Sequence, residues 1–331
     1  MKSEDLTHQI HDVAVIGGGG AGQMAMLRAV LNNLDTLAYL GDATTRRKGR
    51  ATWVTEVDNI PGMFDKKKPI TAASKEVLAF IKDRSGLGDR LTTLKEAVRG
   101  LKKEGDVFVL SSDVGSRKAR FVVLCTGTMD VQPQINGSIE PIFPYANRGD
   151  VLYCIRCDGH RTIGHRCAVI GSGGGAGWIS IMLKERYALP GIFVLSNGAA
   201  FSASEEVADL MKRYEIDLIE DPIDEILGSP KSGLSGFRMG QRSVEVTRAF
   251  VSLGSIVYND LAKQVGAKLN HREHILTSEE YETSVSGLFA AGDLVADKKK
   301  QVYTAWDMAV DAVDTVDERI RMLRRSGKIS N

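Results

Sequence analysis

HDVAVIGGGGAG, residues 11–22, sets the architecture that we expect for this chain of 331 residues. Its first six residues are mostly apolar and predict a short buried strand, and residues 21–32 have the pattern of a helix. At their junction, Gly17, Gly19 and Gly22 have the spacing of a dinucleotide-binding loop. Glycines there allow a tight turn and let a pyrophosphate approach the N–H groups of the helix N-terminus. The segment therefore predicts a Rossmann-like α/β domain with a phosphate site.

The next predicted strand, residues 36–40, is followed by Gly41 and Asp42. Asp42 stands near the position of the acid that binds a ribose hydroxyl in such domains. An acid in a solvated turn explains the residue equally well. Both interpretations of Asp42 stay open on the sequence.

A second loop of this kind follows a predicted strand at residues 167–170 and leads into a helical pattern that runs to about Tyr187. Its loop residues are Gly171, Gly173 and Ala176. The strand after that helix, residues 192–195, should lead to an acid or to arginines that select a nicotinamide cofactor. Residues 196–202 (SNGAAFS) carry no charge instead. The second loop thus has a phosphate cradle without the cofactor-selecting side chains.

Between the two loops lies a cysteine pair followed by an acid, Cys154-Ile155-Arg156-Cys157-Asp158. Cysteines at this spacing can form a disulfide and reopen as a dithiol, and the acid can move the proton that exchange requires. Neither Cys125 nor Cys167 belongs to a second close pair, so the usual spacing of a four-ligand zinc site is missing. The pattern favours a redox disulfide over a structural bridge or a metal site. Cys154, Cys157 and Asp158 are the candidate catalytic residues.

Composition narrows the class of protein. Lysine and arginine number 43 against 42 aspartates and glutamates, which argues against nucleic acid as the main partner. The first twelve residues are polar and do not resemble a secretory signal, and no run approaches the roughly 18 apolar residues of a membrane span. Four cysteines do not suggest an oxidised extracellular scaffold. We expect a soluble cytoplasmic protein of two domains.

Two further features lie near the C-terminus. Residues 287–293 (GLFAAGD) predict an apolar strand that ends in Gly-Asp. Apolar residues then recur at helical spacing and predict the buried face of a C-terminal helix. They are Val302, Ala305, Trp306, Ala309, Val310, Val313, Val316 and Ile320.

Taken in order, these motifs resemble the low-molecular-weight thioredoxin reductases over nearly the whole chain. The further matches are residues 55–62 (TEVDNIPG), the Cys-x-x-Cys-Asp-Gly run of residues 154–159, and Ala291-Gly292-Asp293 followed by Lys300-Gln301. The resemblance implies two Rossmann-like three-layer domains, the second inserted into the first. Residues 1–130 and 252–331 would form the FAD-binding domain. Residues 131–251 would form the inserted NAD(P)-like domain that carries the cysteines.

The resemblance also implies roles for single residues. FAD phosphates would lie on the first glycine loop, and Asp293 would hydrogen-bond the ribityl chain. The other implied cofactor residues are Asn59, Lys300 and Gln301. Cys157 would be the sulfur nearest the flavin, and Cys154 would attack the disulfide of a thioredoxin-like partner. A homodimer is implied as well.

One departure from the family concerns the electron donor. Members that use NADPH carry a His-Arg-Arg run and a further arginine where this chain has Ser196, Asn197, Gly198 and Ser202. Loss of these charge-assisted hydrogen bonds, about 1.5–3 kcal/mol each, should remove much of the affinity for NADPH. The chain therefore resembles the NADPH-independent branch, which includes ferredoxin-dependent flavin thioredoxin reductases and diflavin-linked disulfide oxidoreductases of cyanobacteria. Trp178 replaces the usual acid after the second loop, and it either packs in a vestigial site or stacks on a second flavin.

Three basic runs either steer an acidic donor such as ferredoxin or are ordinary solvated loops. They are Arg46-Arg47-Lys48-x-Arg50, Lys66-Lys67-Lys68 and Lys298-Lys299-Lys300. Three functions stay open on the sequence. They are a reductase fed by a protein donor, a flavin dithiol oxidase that reduces oxygen, and a flavin-binding sensor without turnover.

Overall fold

The computed structural model describes residues 9–45, 49–64 and 69–330. The basic runs at residues 46–48 and 66–68 lie outside the described residues. The chain divides into two compact units. The first comprises the described parts of Met1–Gly49, Ile70–Met129 and Val257–Asn331, and the second comprises those of Arg50–Pro69 and Asp130–Ile256.

The strands, numbered along the chain, are β1 (Ile10–Ile16), β2 (Thr36–Tyr39), β3 (Leu91–Leu94), β4 (Val98–Glu104), β5 (Val107–Ser112), β6 (Ser116–Leu124), β7 (Thr128–Asp130), β8 (Val151–Leu152), β9 (Cys167–Ile170), β10 (Ile192–Leu195), β11 (Asp217–Ile219), β12 (Glu225–Ser229), β13 (Gly233–Met239), β14 (Arg242–Glu245), β15 (Arg248–Val251), β16 (Ser255–Val257) and β17 (Leu288–Ala290). The helices are α1 (Gly20–Leu31), α2 (Pro69–Asp83), α3 (Phe143–Arg148), α4 (Ile155–Asp158), α5 (Gly174–Tyr187), α6 (Glu205–Arg213), α7 (Asp260–Gln264) and α8 (Val302–Arg325).

A seven-stranded sheet forms the centre of the first unit. Strands β3, β2, β1, β6 and β17 are parallel neighbours in this order, and β5 and β4 add an antiparallel edge. Val13, Ala14 and Val15 of β1 are fully buried, because a central parallel strand is covered on both faces. The carboxyl ends of the parallel strands meet at one edge of the sheet, where ligands bind in folds of this type.

Helix α8 packs against α1 in the first unit. Of its predicted apolar face, Ala305, Ala309, Val313, Val316 and Ile320 are buried. Val302, Trp306 and Val310 are partly exposed instead, and Met308 and Ala312 are buried in addition. The buried stripe is thus rotated slightly from the predicted one, and the predicted helix itself is present.

The second unit contains a five-stranded parallel sheet in the order β11, β10, β9, β15, β8, and a separate antiparallel sheet of β12, β13 and β14. Helix α5 connects β9 to β10 as the crossover of a Rossmann-type unit. The predicted strands at residues 167–170 and 192–195 coincide with β9 and β10. Two Rossmann-type sheets, one of them inserted into the chain of the other, confirm the predicted α/β fold class.

The chain passes between the units within β7 and β16, which pair with each other as a two-stranded ribbon. The described residues of Arg50–Pro69 belong to the second unit, whereas the sequence analysis placed all of residues 1–130 in the first domain. Ion pairs that the sequence does not reveal contribute to this placement, since Glu56 and Asp58 bind Arg161 of the second unit. Among the described residues, no helix is long and apolar enough to cross a membrane.

Candidate functional site

The first glycine loop combines two crowded glycines with an open one. Gly17 has a φ of +120°, and a Cβ on it would lie 2.3 Å from the carbonyl oxygen of Cys125. A Cβ on Gly22 would lie 1.8 Å from the carbonyl oxygen of Gly17. A Cβ on Gly19 would meet nothing within 4 Å. Gly17 and Gly22 therefore close the turn, and Gly19 faces open space.

This open space lies at the N-terminus of α1. Gly19 is the N-cap residue, so no side chain bonds the first N–H groups of the helix, and the first turn contains no acidic residue. Uncapped N–H groups and the positive end of the helix dipole attract an anion. The residues of this loop therefore fit the pyrophosphate of a dinucleotide such as FAD.

The structure brings two C-terminal features to the same loop. A Cβ on Gly292 would lie 3.0 Å from the Cβ of Ala21, so the Gly-Asp turn after β17 packs against the first turn of α1. A Cβ on Gly20 would lie 3.6 Å from Val302 at the start of α8. Residues at the two ends of the chain thus converge on one edge of the sheet.

The predicted cofactor residues Asp293, Lys300 and Gln301 lie on this stretch between β17 and α8. The Lys300 ammonium donates a hydrogen bond to the carbonyl oxygen of Val295, and burial lowers the pKa of Lys300. The buried Gln301 is the N-cap residue of α8, and its amide donates to the carbonyl oxygen of Lys300 at 2.7 Å. The run Lys298–Lys300 is therefore not a simple exposed basic patch, because Lys300 points inward.

Asp42 is engaged within its own turn. Its Oδ1 accepts hydrogen bonds from the backbone N–H groups of Thr44 (2.9 Å) and Thr45 (2.7 Å), and its Oδ2 pairs with Arg99 at 2.6 Å. The turn N–H groups and Arg99 lower the pKa of Asp42. Asn59, another predicted cofactor residue, belongs to the second unit.

The second glycine loop repeats the geometry of the first. A Cβ on Gly171 would lie 2.4 Å from the carbonyl oxygen of Ser252, whereas one on Gly173 would meet nothing within 4 Å. Gly173 is the N-cap residue of α5, whose first turn has no acidic residue. Ala176 is fully buried, and Trp178 is 40% exposed on the same helix. The loop therefore keeps a cradle that fits a phosphate.

Polar contacts with the segment that follows β11 hold the turn after β10 in place. Asn197 has a φ of +56°, and its Oδ1 accepts the backbone N–H of Ile223 at 2.8 Å. Glu220 accepts the backbone N–H of Phe201 at 2.6 Å. Sequence reasoning missed Glu220, because it follows β11 and no local pattern assigns it to the turn at residues 196–202.

Cys154 and Cys157 form a disulfide, with their Cα atoms 5.3 Å apart. Cys154 is the N-cap residue of the short helix α4, and the backbone N–H of Cys157 donates to its Sγ at 3.2 Å. The backbone N–H of Asp158 donates to the carbonyl oxygen of Cys154 at 2.8 Å. The predicted catalytic residues are therefore held together by a single turn of backbone.

Asp158 is only 4% exposed. Burial raises its pKa to about 6, while the positive charges of Arg161 and Arg50 oppose that rise and the Asp58 carboxylate adds to it. A carboxyl group that titrates near neutral pH can both donate and accept a proton during turnover. Asp158 is thus chemically suited to the proton transfer that disulfide exchange requires.

An arginine clamp lies just beyond Asp158, and sequence reasoning missed it. The Nε of Arg161 donates to Asp58 at 2.6 Å, and its Nη2 donates to Glu56 at 2.5 Å. His160 contacts the same oxygen of Asp58 at 3.0 Å. The sequence hinted at this clamp only through its charges, which are two acids at residues 56 and 58 and a basic pair at residues 160 and 161. Only the structure pairs them.

Aromatic residues cover the chain just before the cysteines. The ring of Trp53 lies 6.2 Å from that of Tyr153 and 5.5 Å from that of Phe143. The Tyr153 hydroxyl donates to Oε1 of Gln132 at 2.7 Å. All four side chains belong to the second unit, where this packing fixes the backbone that leads into Cys154.

A disulfide followed by a buried acid, carried on a dinucleotide-binding fold, is the arrangement of flavin-dependent disulfide oxidoreductases. Residues 11–310 match the family model described as pyridine nucleotide-disulphide oxidoreductase, and the chain belongs to that family. Family membership implies bound FAD, which the first glycine loop fits.

Named relatives are similar over most of this chain. The thioredoxin reductase of Borreliella burgdorferi is 27% identical over 303 residues, which cover 89% of this chain and 88% of that protein. The thioredoxin reductase of Listeria monocytogenes is 28% identical over 313 residues, 92% of this chain and 91% of that protein. The crystal structure of thioredoxin reductase from Streptococcus pyogenes has a TM-score of 0.81 at 22% identity, over 95% of this chain and 99% of that one. The structural likeness shows a shared fold.

Proposed function

We propose that this enzyme moves electrons from bound FAD to the Cys154–Cys157 disulfide and on to a thioredoxin-like protein, and that NADPH is not its donor. An acidic protein such as ferredoxin, or a second flavin on the second glycine loop, would supply the electrons. The relatives named thioredoxin reductase support the choice of protein substrate. A homodimer is proposed from the resemblance.

The turn at residues 196–202 is the observation against NADPH as the donor. It contains no lysine or arginine, and the carboxylate of Glu220 accepts the backbone N–H of Phe201 in this turn. The 2′-phosphate of NADPH would meet a negative charge there, and the turn itself has no lysine or arginine to offset that charge. NADH has no 2′-phosphate, so it escapes this repulsion and belongs among the donors to be tested.

Reduction of the Cys154–Cys157 disulfide is the first step of the proposed reaction. Bound FAD supplies a carrier of two electrons. Two electrons that enter the disulfide break its S–S bond and leave two sulfurs, one of which takes a proton from Asp158. The Cys157 N–H that points at the Cys154 sulfur stabilises negative charge on that atom.

The stabilised Cys154 thiolate can then attack a partner disulfide. A bond forms between Cys154 and one partner sulfur, and the other partner sulfur leaves as a thiolate. The released partner thiolate takes the proton of Cys157, and the resulting Cys157 thiolate attacks Cys154. This attack re-forms the internal disulfide and releases the second partner sulfur as a thiolate, which a proton from solvent converts to a thiol. Each turnover thus carries two electrons to the partner, and Asp158 is reprotonated from solvent.

Stopped-flow absorbance at the flavin band tests the donor. Reduced ferredoxin should bleach the band rapidly, and added oxidised thioredoxin should restore it. NADPH should bleach it very slowly or not at all. Fast bleaching by micromolar NADPH would overturn the NADPH-independent assignment. Rapid oxidation of a dithiol by oxygen, without ferredoxin turnover, would favour the oxidase, and no turnover with flavin retained would favour the sensor.

A pair of variants sharpens this test. Glu220→Gln removes the carboxylate beside the turn and should improve reduction by NADPH more than reduction by NADH. Glu245→Gln removes an exposed carboxylate from β14 of the same unit and should change neither rate. Equal effects of the two substitutions would show that Glu220 does not govern the donor.

The number of bound flavins per chain tests whether a second flavin can be the electron donor. Chromatography of the flavins released on denaturation should give FAD, at one or two flavins per chain. If a second flavin binds at the second loop, Trp178→Ala should lower the count without loss of the first. A count of one in the wild-type protein would remove the second flavin as electron donor. Sedimentation of the same sample tests the homodimer.

A further inference from the structure

The guanidinium of Arg161 is held on three sides. Nε and Nη2 bind Asp58 and Glu56, as described above. Nη1 occupies the space beside Gly149, where a Cβ would lie 2.8 Å from it. Gly149 also has a φ of +83°, so two reasons exclude a side chain at this position. The Arg161 side chain is only 20% exposed, and its orientation is therefore fixed by packing as well as by charge.

A small cavity joins this clamp to Asp158. Its volume of about 10 Å³ is at the lower limit for holding one water molecule. Asp158, Arg161, Glu56 and Gly149 all contribute to its wall. Asp158, next to the redox disulfide, and Arg161 of the clamp therefore line the same small cavity.

We propose that Arg161 is a positioning residue for proton transfer at the disulfide: held by Glu56 and Asp58, it stabilises the carboxylate that Asp158 becomes after it has protonated a cysteine sulfur. This inference rests on the proposed function, in which the Cys154–Cys157 disulfide is reduced during turnover. Two electrons break the S–S bond, the proton of Asp158 goes to one sulfur, and the positive charge of Arg161, across the shared cavity, favours the negative charge left on Asp158.

Arg161 is not the only charge that acts on Asp158. Arg50 also favours the carboxylate and is itself paired with Asp130, while His160 acts in the same direction when it is protonated. Asp58 acts in the opposite direction. Of these charges, Arg161 has the largest effect on the pKa of Asp158. Its position depends on its ion pairs with Glu56 and Asp58.

The test measures the reduction potential of the disulfide in the flavin-loaded protein. Glutathione buffers set the potential between pH 5 and 8.5, and alkylation followed by mass spectrometry counts the free thiols. The slope of potential against pH changes at the pKa of each group whose proton affinity depends on the redox state. No electron donor or thioredoxin enters this measurement, so it remains informative if the proposed donor or partner is wrong.

The change of slope that Asp158 causes is called the acidic break. Arg161→Gln should move this break to a pH about one unit higher, because an opposite charge nearby lowers a carboxyl pKa by about 1–3 units. Arg161→Lys keeps the charge but cannot bind both acids, and it should move the break by less. Arg166→Gln is the matched control, since Arg166 is an exposed arginine that lies over the ring of Phe193.

A break in Arg161→Gln that coincides with that of Arg166→Gln would overturn the proposal. An upward move in Arg161→Gln, with a smaller upward move in Arg161→Lys, would support it. Should Arg161→Gln fail to fold, Glu56→Gln replaces it, because that substitution loosens the clamp and leaves the arginine in place. An unchanged break in Glu56→Gln and in Arg161→Lys would then count against the positioning role.

Discussion

Gly22 lies so close to Gly17 that a Cβ on Gly22 would be 1.8 Å from the carbonyl oxygen of Gly17. Real Cβ atoms do not approach backbone oxygens to this distance, so the loop closes only with glycine there. Gly19, three residues earlier, has open space around it and an ordinary φ of −78°. The two glycines thus separate two functions of one loop, closure of the turn and access for a ligand.

Substitutions at these glycines should therefore have different effects. Gly22→Ala should destabilise the flavin-free protein by about 1–3 kcal/mol or more, because it overpacks a closed turn. Gly19→Val should leave that stability nearly unchanged and abolish tight FAD binding, since its side chain fills the space a pyrophosphate needs. Denaturant unfolding of the apoprotein and flavin titration measure the two effects. Full flavin occupancy in Gly19→Val would refute this placement of the cofactor.

The two cysteines should differ in their spectra. In Cys154→Ser, the remaining Cys157 thiolate should give a long-wavelength charge-transfer band with oxidised FAD. In Cys157→Ser, that band should be absent, because Cys154 is assigned to the attack on the partner. Absorbance spectra of the two variants above pH 7 provide the measurement. A band in Cys157→Ser alone would reverse the roles of the two sulfurs.

Asp158 should make the stability of the protein depend on pH. Its folded-state pKa of about 6 is above the ordinary value of 3.8. Between pH 4 and 6 the folded protein therefore retains a proton that the unfolded chain releases, and stability falls as pH rises through this window. Asp158→Asn should remove the penalty and raise the free energy of unfolding by about 3 kcal/mol at pH 7.5, but not at pH 4.

Denaturant unfolding at both pH values measures this effect. Asp209→Asn, which neutralises an exposed acid on α6, should change neither value and is the control. Asp158→Asn should also slow reduction of the disulfide, since an amide cannot donate the required proton. Equal stabilisation by Asp158→Asn at pH 4 and pH 7.5 would mean that Asp158 has no raised pKa.

Asp42 should matter for the turn and not for the cofactor. Its carboxylate already binds the N–H groups of Thr44 and Thr45 and the guanidinium of Arg99. Asp42→Ala should therefore lower the thermal unfolding midpoint and leave the FAD dissociation constant within about threefold of the wild type. A tenfold loss of FAD affinity, which corresponds to about 1.4 kcal/mol, would instead support a contact with the ribose.

Local patterns in the sequence predicted the elements that carry the ligand sites. The strands at residues 167–170 and 192–195, the two glycine loops and the C-terminal helix are found where expected. The burial of α8 was predicted less well, because Met308 and Ala312 replace Val302 and Trp306 in the buried stripe. A repeat of 3.6 residues fixes the presence of a helix more firmly than its rotation against a neighbour.

The amino-acid sequence alone determined the α/β class, the two glycine loops and the cysteine pair with its acid, since each depends on residues a few positions apart. Only the tertiary structure decided that Asp58 binds Arg161, 103 positions away, and that Glu220 binds the turn after β10. The burial that raises the pKa of Asp158 was likewise invisible in the sequence. The physical reason is that backbone geometry and side-chain spacing act locally, whereas ion pairing and desolvation depend on which distant segments pack together.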